Sequence, residues 1–288
     1  MSNVALESPG GGGGLLDVFR RRYLLRLIVR KELKVRYRGS FLGLLWSYVK
    51  PGVQFVVFYF ALGVFLGMNR QPNFVLYMFS GIILVNLFSE SLGQATRSVV
   101  GNGALVKKIY LPRELFPVSS VWVAIIHFLP QLLILVVACL FFGWQPSLLQ
   151  ILAAIAAVIM IVILSVGLGL IFAAANVMYR DSENIVDLIL MVATWLSPVL
   201  YVWTQVKDSL GSTFYFFYQL NPITVAVEVF HYAFWFPTQA VQASTPIPPL
   251  PDRLLILWLP IGFVISLAIL FIGQFIFRRL EGRFAQEL

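Results

Sequence analysis

The sequence predicts an all-α membrane protein with six transmembrane helices, an N-terminal helix at the membrane interface, and re-entrant outer helices between spans five and six. Of the 288 residues, 59% are hydrophobic and only 12% are charged, whereas about a quarter of the residues in soluble domains are charged. Apolar windows of about 20 residues, the length that crosses a bilayer, recur along the chain. The single cysteine, Cys139, rules out an intrachain disulfide.

Six apolar windows are long enough to cross the membrane. They cover residues 41–66, 74–95, 115–142, 148–176, 185–203 and 254–277. The link between the third and fourth windows is only five residues long, so these two spans are expected to form a hairpin. The six spans and their loops define a predicted transmembrane domain over residues 39–277.

A seventh apolar segment, residues 214–236, is interrupted by Asn221 and Pro222. Proline prevents a continuous helix, and the two remaining pieces are too short to cross. Residues 204–253 are therefore predicted to form an outer loop whose two short re-entrant helices act as a gate. An aromatic belt at the outer headgroups is the alternative. The predicted gate residues are Tyr215, Tyr218, Asn221, Pro222 and Glu228.

The placement of positive charge predicts that both termini are cytoplasmic. With six spans and the N-terminus inside, the inner segments hold 17 of the 21 Lys and Arg residues, which is the positive-inside pattern. These inner segments are residues 1–40, 96–113, 177–184 and the tail 278–288. Because the charge follows membrane topology, the net charge of +8 does not indicate a nucleic-acid partner.

The N-terminal region divides into a leader and a helix. Residues 1–14 contain five consecutive glycines without a following Gly-Lys-Ser/Thr, so they predict a flexible leader and not a phosphate-binding loop. Residues 15–38 predict a cytoplasmic interface helix. Its arginines recur every four residues, and Leu24, Leu27 and Ile28 lie on the opposite face. The arginines of this repeat are Arg22, Arg26 and Arg30.

Three ionisable residues lie within the predicted spans, where charge is costly. Lys50, followed by Pro51, either extends its amine to the interface or borders an aqueous path. Glu90 is expected at a hydrated helix end, and His127 is expected to be a hydrogen-bonded packing residue. Since no second His or Cys accompanies His127, no metal site is predicted.

Five segments, in order along the chain, resemble the membrane subunits of ABC-2 type exporters of lipid-linked polysaccharides, which move O-antigens, teichoic acids and capsules. The segments are RYRGSFLGLLW at 36–46, LVKKIYLPRELFP at 105–117, YRD at 179–181, SPVLY at 197–201 and NPITVAVE at 221–228. The resemblance implies a homodimer in the bacterial cytoplasmic membrane, joined to two copies of a cytoplasmic ATPase subunit. The chain has no Gly-x-x-x-x-Gly-Lys-Ser/Thr motif. ATP and magnesium are therefore expected on the partner subunit, with no cofactor and no enzymatic activity on this chain.

The resemblance also implies roles for three groups of residues. The inner loop between spans two and three is expected to contact the ATPase. An ordinary positive-inside loop with no special role is the alternative. The residues of this predicted coupling loop are Lys107, Lys108, Ile109, Tyr110, Pro112, Arg113 and Glu114. Spans one and five are expected to line the translocation path, with Trp46, Tyr48, Lys50, Pro51, Tyr201 and Trp203. Arg36 and Arg38 are expected to contact the diphosphate of a polyprenyl-linked substrate, with simple anchoring to membrane lipid as the alternative.

The resemblance and the composition favour one substrate over two rival functions. The chain has 15 Arg and 6 Lys residues. An excess of Arg over Lys is typical of GC-rich genomes such as those of actinobacteria. Together with the resemblance, this bias favours a galactan precursor as the substrate. The first rival is an ABC-2 permease for a small amphiphile or drug. The second is a membrane glycolipid transferase, which needs convergent catalytic groups. The candidate groups, Glu90, His127, Asp181 and Glu228, are dispersed in the sequence.

Overall fold

The computed structural model describes residues 14–41, 43–65, 67, 73–108, 111–241 and 251–288, and every regular element within them is helical. The α-helices are α1 (Leu15–Arg20), α2 (Arg22–Arg36), α3 (Trp46–Phe58), α4 (Phe74–Gly101), α5 (Gly103–Lys108), α6 (Leu115–Phe141), α7 (Leu148–Met178), α8 (Ser182–Leu196), α9 (Trp203–Gln219), α10 (Pro222–Phe230), α11 (Leu259–Leu280) and α12 (Phe284–Glu287). Short π-helical and 3-10 segments extend several of them.

Four helical stretches of the described chain are long and apolar enough to cross a bilayer. They are α4, α6, α7 and the stretch Leu254–Glu287, which contains α11. They coincide with four of the six predicted windows. The chain is therefore an all-helical, multi-pass membrane protein, as the sequence predicted.

The two remaining windows form shorter helices. In the first, α3 continues as the π-helical segment Tyr59–Phe65. In the fifth, α8 has 15 residues, about 22 Å of helix, which is less than the roughly 30 Å hydrocarbon thickness. Helix α8 ends at Leu196 because Pro198 favours an extended backbone at the residue before it, and Ser197 has φ −92° and ψ 145°. The predicted end of the fifth span at residue 203 stays a prediction. The six-span topology stays a prediction.

The predicted break at Asn221 and Pro222 separates α9 from α10. The Asn221 side chain accepts a hydrogen bond of 3.1 Å from the Ile223 amide, and Pro222 occupies the first helical position, a favourable helix start. All residues of α10 are buried, and this helix packs against α4, α7 and α11. The gate segment thus enters the helix bundle, whereas its re-entrance from the outer face stays a prediction.

Helices α7 and α11 approach so closely that their backbones touch. A Cβ atom added to Gly273 would lie 2.2 Å from the carbonyl oxygen of Gly167, and one added to Gly167 would lie 2.7 Å from the amide nitrogen of Leu270. Small residues permit such contacts between membrane helices. Helix α7 also packs on α4, which in turn packs on α6, so these four helices form the core of the bundle.

The interface helix packs against the bundle along α2. Leu25, Ile28 and Val29 are buried against residues of α6. Leu27, which the sequence assigned to the apolar face, is exposed, because the contact with α6 is centred on Leu25 and Val29. The predicted arginine face, Arg22, Arg26 and Arg30, is exposed.

A glycine-containing connection joins α2 to α3. Gly39 has φ 74° and Gly43 has φ 49°, the left-handed region that residues with a Cβ rarely adopt. Apart from the adjoining residues, no atom of the described chain lies within 4 Å of a Cβ built on Gly39 or Gly43. The chain thus changes direction here without tight packing before span one begins.

Candidate functional site

A charged cluster joins the end of α2 to α4 and α6. The Arg36 guanidinium forms an ion pair with Glu90 on α4 through Nη1, and Nη1 lies 3.0 Å from Nδ1 of His127 on α6. His127 Nδ1 lies 2.6 Å from Glu90 Oε1, and the Tyr37 hydroxyl lies 2.9 Å from His127 Nε2. The His127 side chain is only 2% exposed. The cluster therefore fixes the end of the interface helix to two helices of the core.

One tautomer of His127 satisfies the contacts of both ring nitrogens with Glu90 and Tyr37. With the proton on Nδ1, Nδ1–H of His127 donates to the Glu90 carboxylate at 2.6 Å. Nε2 then accepts the proton of the Tyr37 hydroxyl. Glu90 thus accepts from both Arg36 and His127. The sequence placed Glu90 at a hydrated helix end and His127 alone, and it did not pair the two residues with each other.

An open cavity of about 220 Å³ lies beside the cluster, between α2, α4 and α6. Its lining is mostly polar: Glu32, Val35, Arg36, Gln94, Ser120 and Val123. Glu32 Oε1 accepts a 3.2 Å hydrogen bond from Lys31 Nζ, and Lys31 also bonds to Asn102, the residue that follows α4. Arg38, the second predicted headgroup residue, is exposed just beyond α2.

The predicted coupling loop divides into an exposed half and a buried half. Lys107 and Lys108 are exposed at the end of α5, while Ile109 and Tyr110 lie outside the described residues. Pro112 is buried. Lys107 and Lys108 are therefore the described residues of this loop most accessible to a partner.

Two further residues of the predicted coupling loop point into the protein. Glu114 is fully buried, and its Oε1 accepts a 3.2 Å hydrogen bond from Gln274 on α11. The Arg113 guanidinium lies 5.7 Å from the ring centre of Phe284 on α12, within cation–π range. Helix α12 also packs on α5. Residues of α11 and α12 near the C-terminus thus pack against the loop on its protein-facing side.

The predicted path residues fall on two separate parts of the fold. Trp46 is exposed and Tyr48 half-buried on α3, the helix that also contains Lys50 and Pro51. Helix α3 packs against α4 and α6. Tyr201 and Trp203 instead follow α8 and pack with α9, as described next.

An aromatic cluster surrounds the predicted gate. Trp203 is buried, with its ring 5.4 Å from that of Tyr215, which stacks on Tyr218 at 6.4 Å. The Tyr218 hydroxyl lies 3.4 Å from the Tyr201 hydroxyl, and the Lys207 amine lies 5.9 Å from the Trp203 ring. The structure therefore brings together two predicted path residues and two predicted gate residues.

Glu228, the fifth predicted gate residue, lies deeper in the bundle. Its side chain is 3% exposed, and Oε2 lies 3.9 Å from Nδ1 of His231. The His231 ring stacks on Tyr77 of α4 at 3.8 Å, and its Nε2 lies 3.1 Å from the Tyr77 carbonyl oxygen. Glu228 is enclosed by protein inside the helix bundle. An ionisable side chain within a membrane protein's helix bundle is a functional candidate by default.

A second charged cluster was not predicted. Arg97 on α4 donates to Glu183 at 3.0 Å and to Asp187 at 3.1 Å, both on α8. A hydrogen bond of 2.9 Å from Asn176, together with Arg97, holds the pKa of Glu183 below its usual value. This network ties α8 to α4 near the YRD segment. Among the described residues, no group of three His, Cys, Asp or Glu side chains is placed to bind a metal.

Comparison with known proteins agrees with the resemblance seen in the sequence. The family model for ABC-2 type transporters matches residues 23–235, from α2 through the π-helical turn after α10. The O-antigen export system permease protein RfbA of Klebsiella pneumoniae is 30% identical over 200 residues, covering 69% of this chain and 75% of the relative. The protein of the same name from Myxococcus xanthus is 31% identical over 192 residues, covering 67% and 73%. The chain belongs to the ABC-2 type transporter family.

Proposed function

We propose that the chain is the permease subunit of an ATP-driven exporter that moves a polyprenyl-diphosphate-linked polysaccharide across the bacterial cytoplasmic membrane. The observation that carries the proposal is the family match combined with two relatives named O-antigen export system permeases, each aligned over about two thirds of the chain. A galactan precursor is the substrate we propose, on the arginine-rich composition. Two copies of the chain would form the permease.

The energy for export comes from a separate subunit, as in other ABC-2 permeases. We assign the contact with this ATPase to α5, because Lys107 and Lys108 are exposed there at the end of a short helix. The loop beyond α5 is held from inside by Glu114 and Arg113. A rigidly supported charged helix can transmit a movement of its partner to the core helices.

Two features of the chain suit a lipid-linked polymer. Aromatic side chains such as Trp46 and Tyr201 offer contact area to sugar rings without fixed hydrogen-bond registers, and a conducting path must bind weakly enough to release. Arg38 is exposed beside the start of span one, where a guanidinium can bind the diphosphate of the lipid carrier. We assign the diphosphate to Arg38 because Arg38 lies outside the small cavity between α2, α4 and α6, whereas Arg36 lines that cavity.

Depletion of this chain in its host tests the proposal. Lipid-linked glycans on each side of the membrane would be separated and analysed after depletion, with re-expression of the wild-type chain as the control. We expect a polyprenyl-linked polymer to accumulate on the cytoplasmic side, and its sugar composition will identify the substrate. Unchanged envelope glycans without accumulation would contradict polysaccharide export and favour a small amphiphile as the cargo.

Charge reversal in α5 tests the ATPase assignment. We expect the variant K107E/K108E to abolish export and to uncouple ATP hydrolysis from the permease, because both lysines are exposed on the proposed contact. ATPase rate and polymer export would be measured in the reconstituted complex. The matched control is R278E/R279E, a pair of basic residues at the end of α11 that is outside the proposed contact. Normal assembly and export by K107E/K108E would place the contact elsewhere.

A further inference from the structure

The cavity beside the Arg36 cluster has the size and chemistry of a lipid headgroup site. Its volume of about 220 Å³ is below the 300–1,000 Å³ typical of pockets for drug-sized ligands, so it fits a small polar group and not a polymer. We propose that this cavity binds the zwitterionic headgroup of an aminophospholipid, with a primary ammonium at one end and a phosphate at the other. This inference goes beyond the export function and does not depend on the cargo.

Two opposite charges line the cavity one helical turn apart. Glu32 and Arg36 are at positions i and i+4 of α2, where side chains are about 5–6 Å apart at Cβ. Each is held by a different neighbour: Glu32 Oε1 by Lys31, and Arg36 Nη1 by Glu90. These contacts keep a carboxylate and a guanidinium separate on the same side of the helix, each at the edge of an open cavity.

This separation selects a ligand that carries both charges. An anionic headgroup alone would meet the like charge of Glu32, and a cationic one alone would meet the like charge of Arg36. A phosphate suits the planar donors of Arg36, and a primary ammonium can donate hydrogen bonds to the Glu32 carboxylate. In phosphatidylethanolamine a two-carbon link separates the phosphate from the ammonium. This distance is short enough for the headgroup to contact both Arg36 and Glu32.

The remaining lining residues complete the site. Gln94 and Ser120 supply an amide and a hydroxyl from α4 and α6, and Val35 and Val123 supply apolar contacts for the carbon atoms of the headgroup. Because α2 packs its apolar face on α6 and exposes its arginines, the cavity lies where the interface helix meets the core, at the depth expected for headgroups. A lipid bound here would fill the gap between the interface helix and the two core helices.

Lipid binding by the full-length chain tests the proposal. The chain would be purified in detergent, and retention of phosphatidylethanolamine, phosphatidylcholine and phosphatidylglycerol would be compared by native mass spectrometry at equal lipid concentrations. We expect phosphatidylethanolamine to be preferred over phosphatidylcholine by about tenfold, because the trimethylated amine cannot donate a hydrogen bond to the carboxylate. Since the measurement is of binding, its result is independent of whether a polysaccharide is exported.

Variants locate the preference in the cavity. We expect E32Q to lose the discrimination between the two zwitterionic lipids, whereas E287Q, which neutralises an exposed carboxylate on α12, retains it. Q94L, which replaces the amide of the cavity by an apolar side chain of similar size without changing charge, is expected to reduce retention of every lipid at this site. Equal retention of the two zwitterionic lipids by the wild type, or an unchanged preference in E32Q, would overturn the proposal. Preferential retention of phosphatidylglycerol would also overturn it and would indicate a site for phosphate alone.

Discussion

Replacing Gly273 with alanine is expected to destabilise the folded protein by about 3 kcal/mol, at the upper end of the range for overpacked cores. The added Cβ would lie 2.2 Å from the Gly167 carbonyl oxygen and 3.0 Å from its carbonyl carbon. Both atoms belong to the backbone of α7, so no side-chain rotation relieves the overlap. The two helices must separate, and part of the packing between α7 and α11 is lost. Thermal unfolding of the detergent-solubilised protein, followed by fluorescence-detected gel filtration, measures the effect.

Other glycines provide matched controls for this prediction. Apart from adjoining residues and the backbone of their own helix, Gly101 and Gly282 have no atom of the described chain within 4 Å of a built Cβ, and neither has a positive φ. G101A and G282A are therefore expected to leave the unfolding temperature unchanged or slightly raised, since alanine restricts the unfolded chain. G167A, on the other side of the contact, is expected to behave like G273A. A G273A protein as stable as G282A would show that α7 and α11 do not make this backbone contact.

Neutralising Glu90 is expected to impair export as strongly as neutralising Arg36. In E90Q the Arg36 guanidinium loses its ion pair, and the buried His127 loses its charged acceptor. Hydrogen bonds to charged groups contribute about 1.5–3 kcal/mol each, and loss of this cluster frees the end of α2 from α4 and α6. Protease protection of the α2–α3 connection and export in the reconstituted complex would be measured for E90Q and R36Q.

A double-mutant cycle separates this structural role of Arg36 from direct contact with the substrate. If Arg36 acts through Glu90, R36Q/E90Q will be no worse than either single variant, because both remove the same interaction. R30Q serves as the control, since Arg30 is exposed on α2 and its loss changes the charge equally. Impaired export in R36Q with normal export in E90Q would instead support the sequence-based prediction that Arg36 contacts the lipid diphosphate.

Local sequence patterns were sufficient for most of the helical architecture. The apolar windows that predicted spans two, three, four and six coincide with long helices, because hydropathy and length depend on neighbouring residues only. The break at Asn221 and Pro222 was predicted for the same reason. The end of α8 at Leu196 is marked in the sequence by Pro198, whereas the predicted window continues to residue 203 because the residues that follow are apolar.

The contacts between residues distant in the chain could not be predicted from the sequence. Arg36, Glu90 and His127 are 37 to 91 positions apart, and a single sequence has no pattern that pairs them. The sequence did contain one signal. Ionisable groups in apolar surroundings must find partners, and the predicted spans contain three such groups, so a network could be suspected. The burial of Glu114 was likewise hidden, because it lies in a charged loop and its partner Gln274 is on α11.

The connection through Gly39 and Gly43 would allow α3 to change its tilt independently of α2. The upstream end of the connection is fixed by Arg36 and Tyr37, whereas no non-adjoining atom of the described chain lies within 4 Å of a Cβ built on either glycine. Backbone rotation at these two positions would change the tilt of α3 without displacing α2. Such a change would require neither the unfolding of a helix nor the breaking of the buried contacts between α4, α6, α7 and α11.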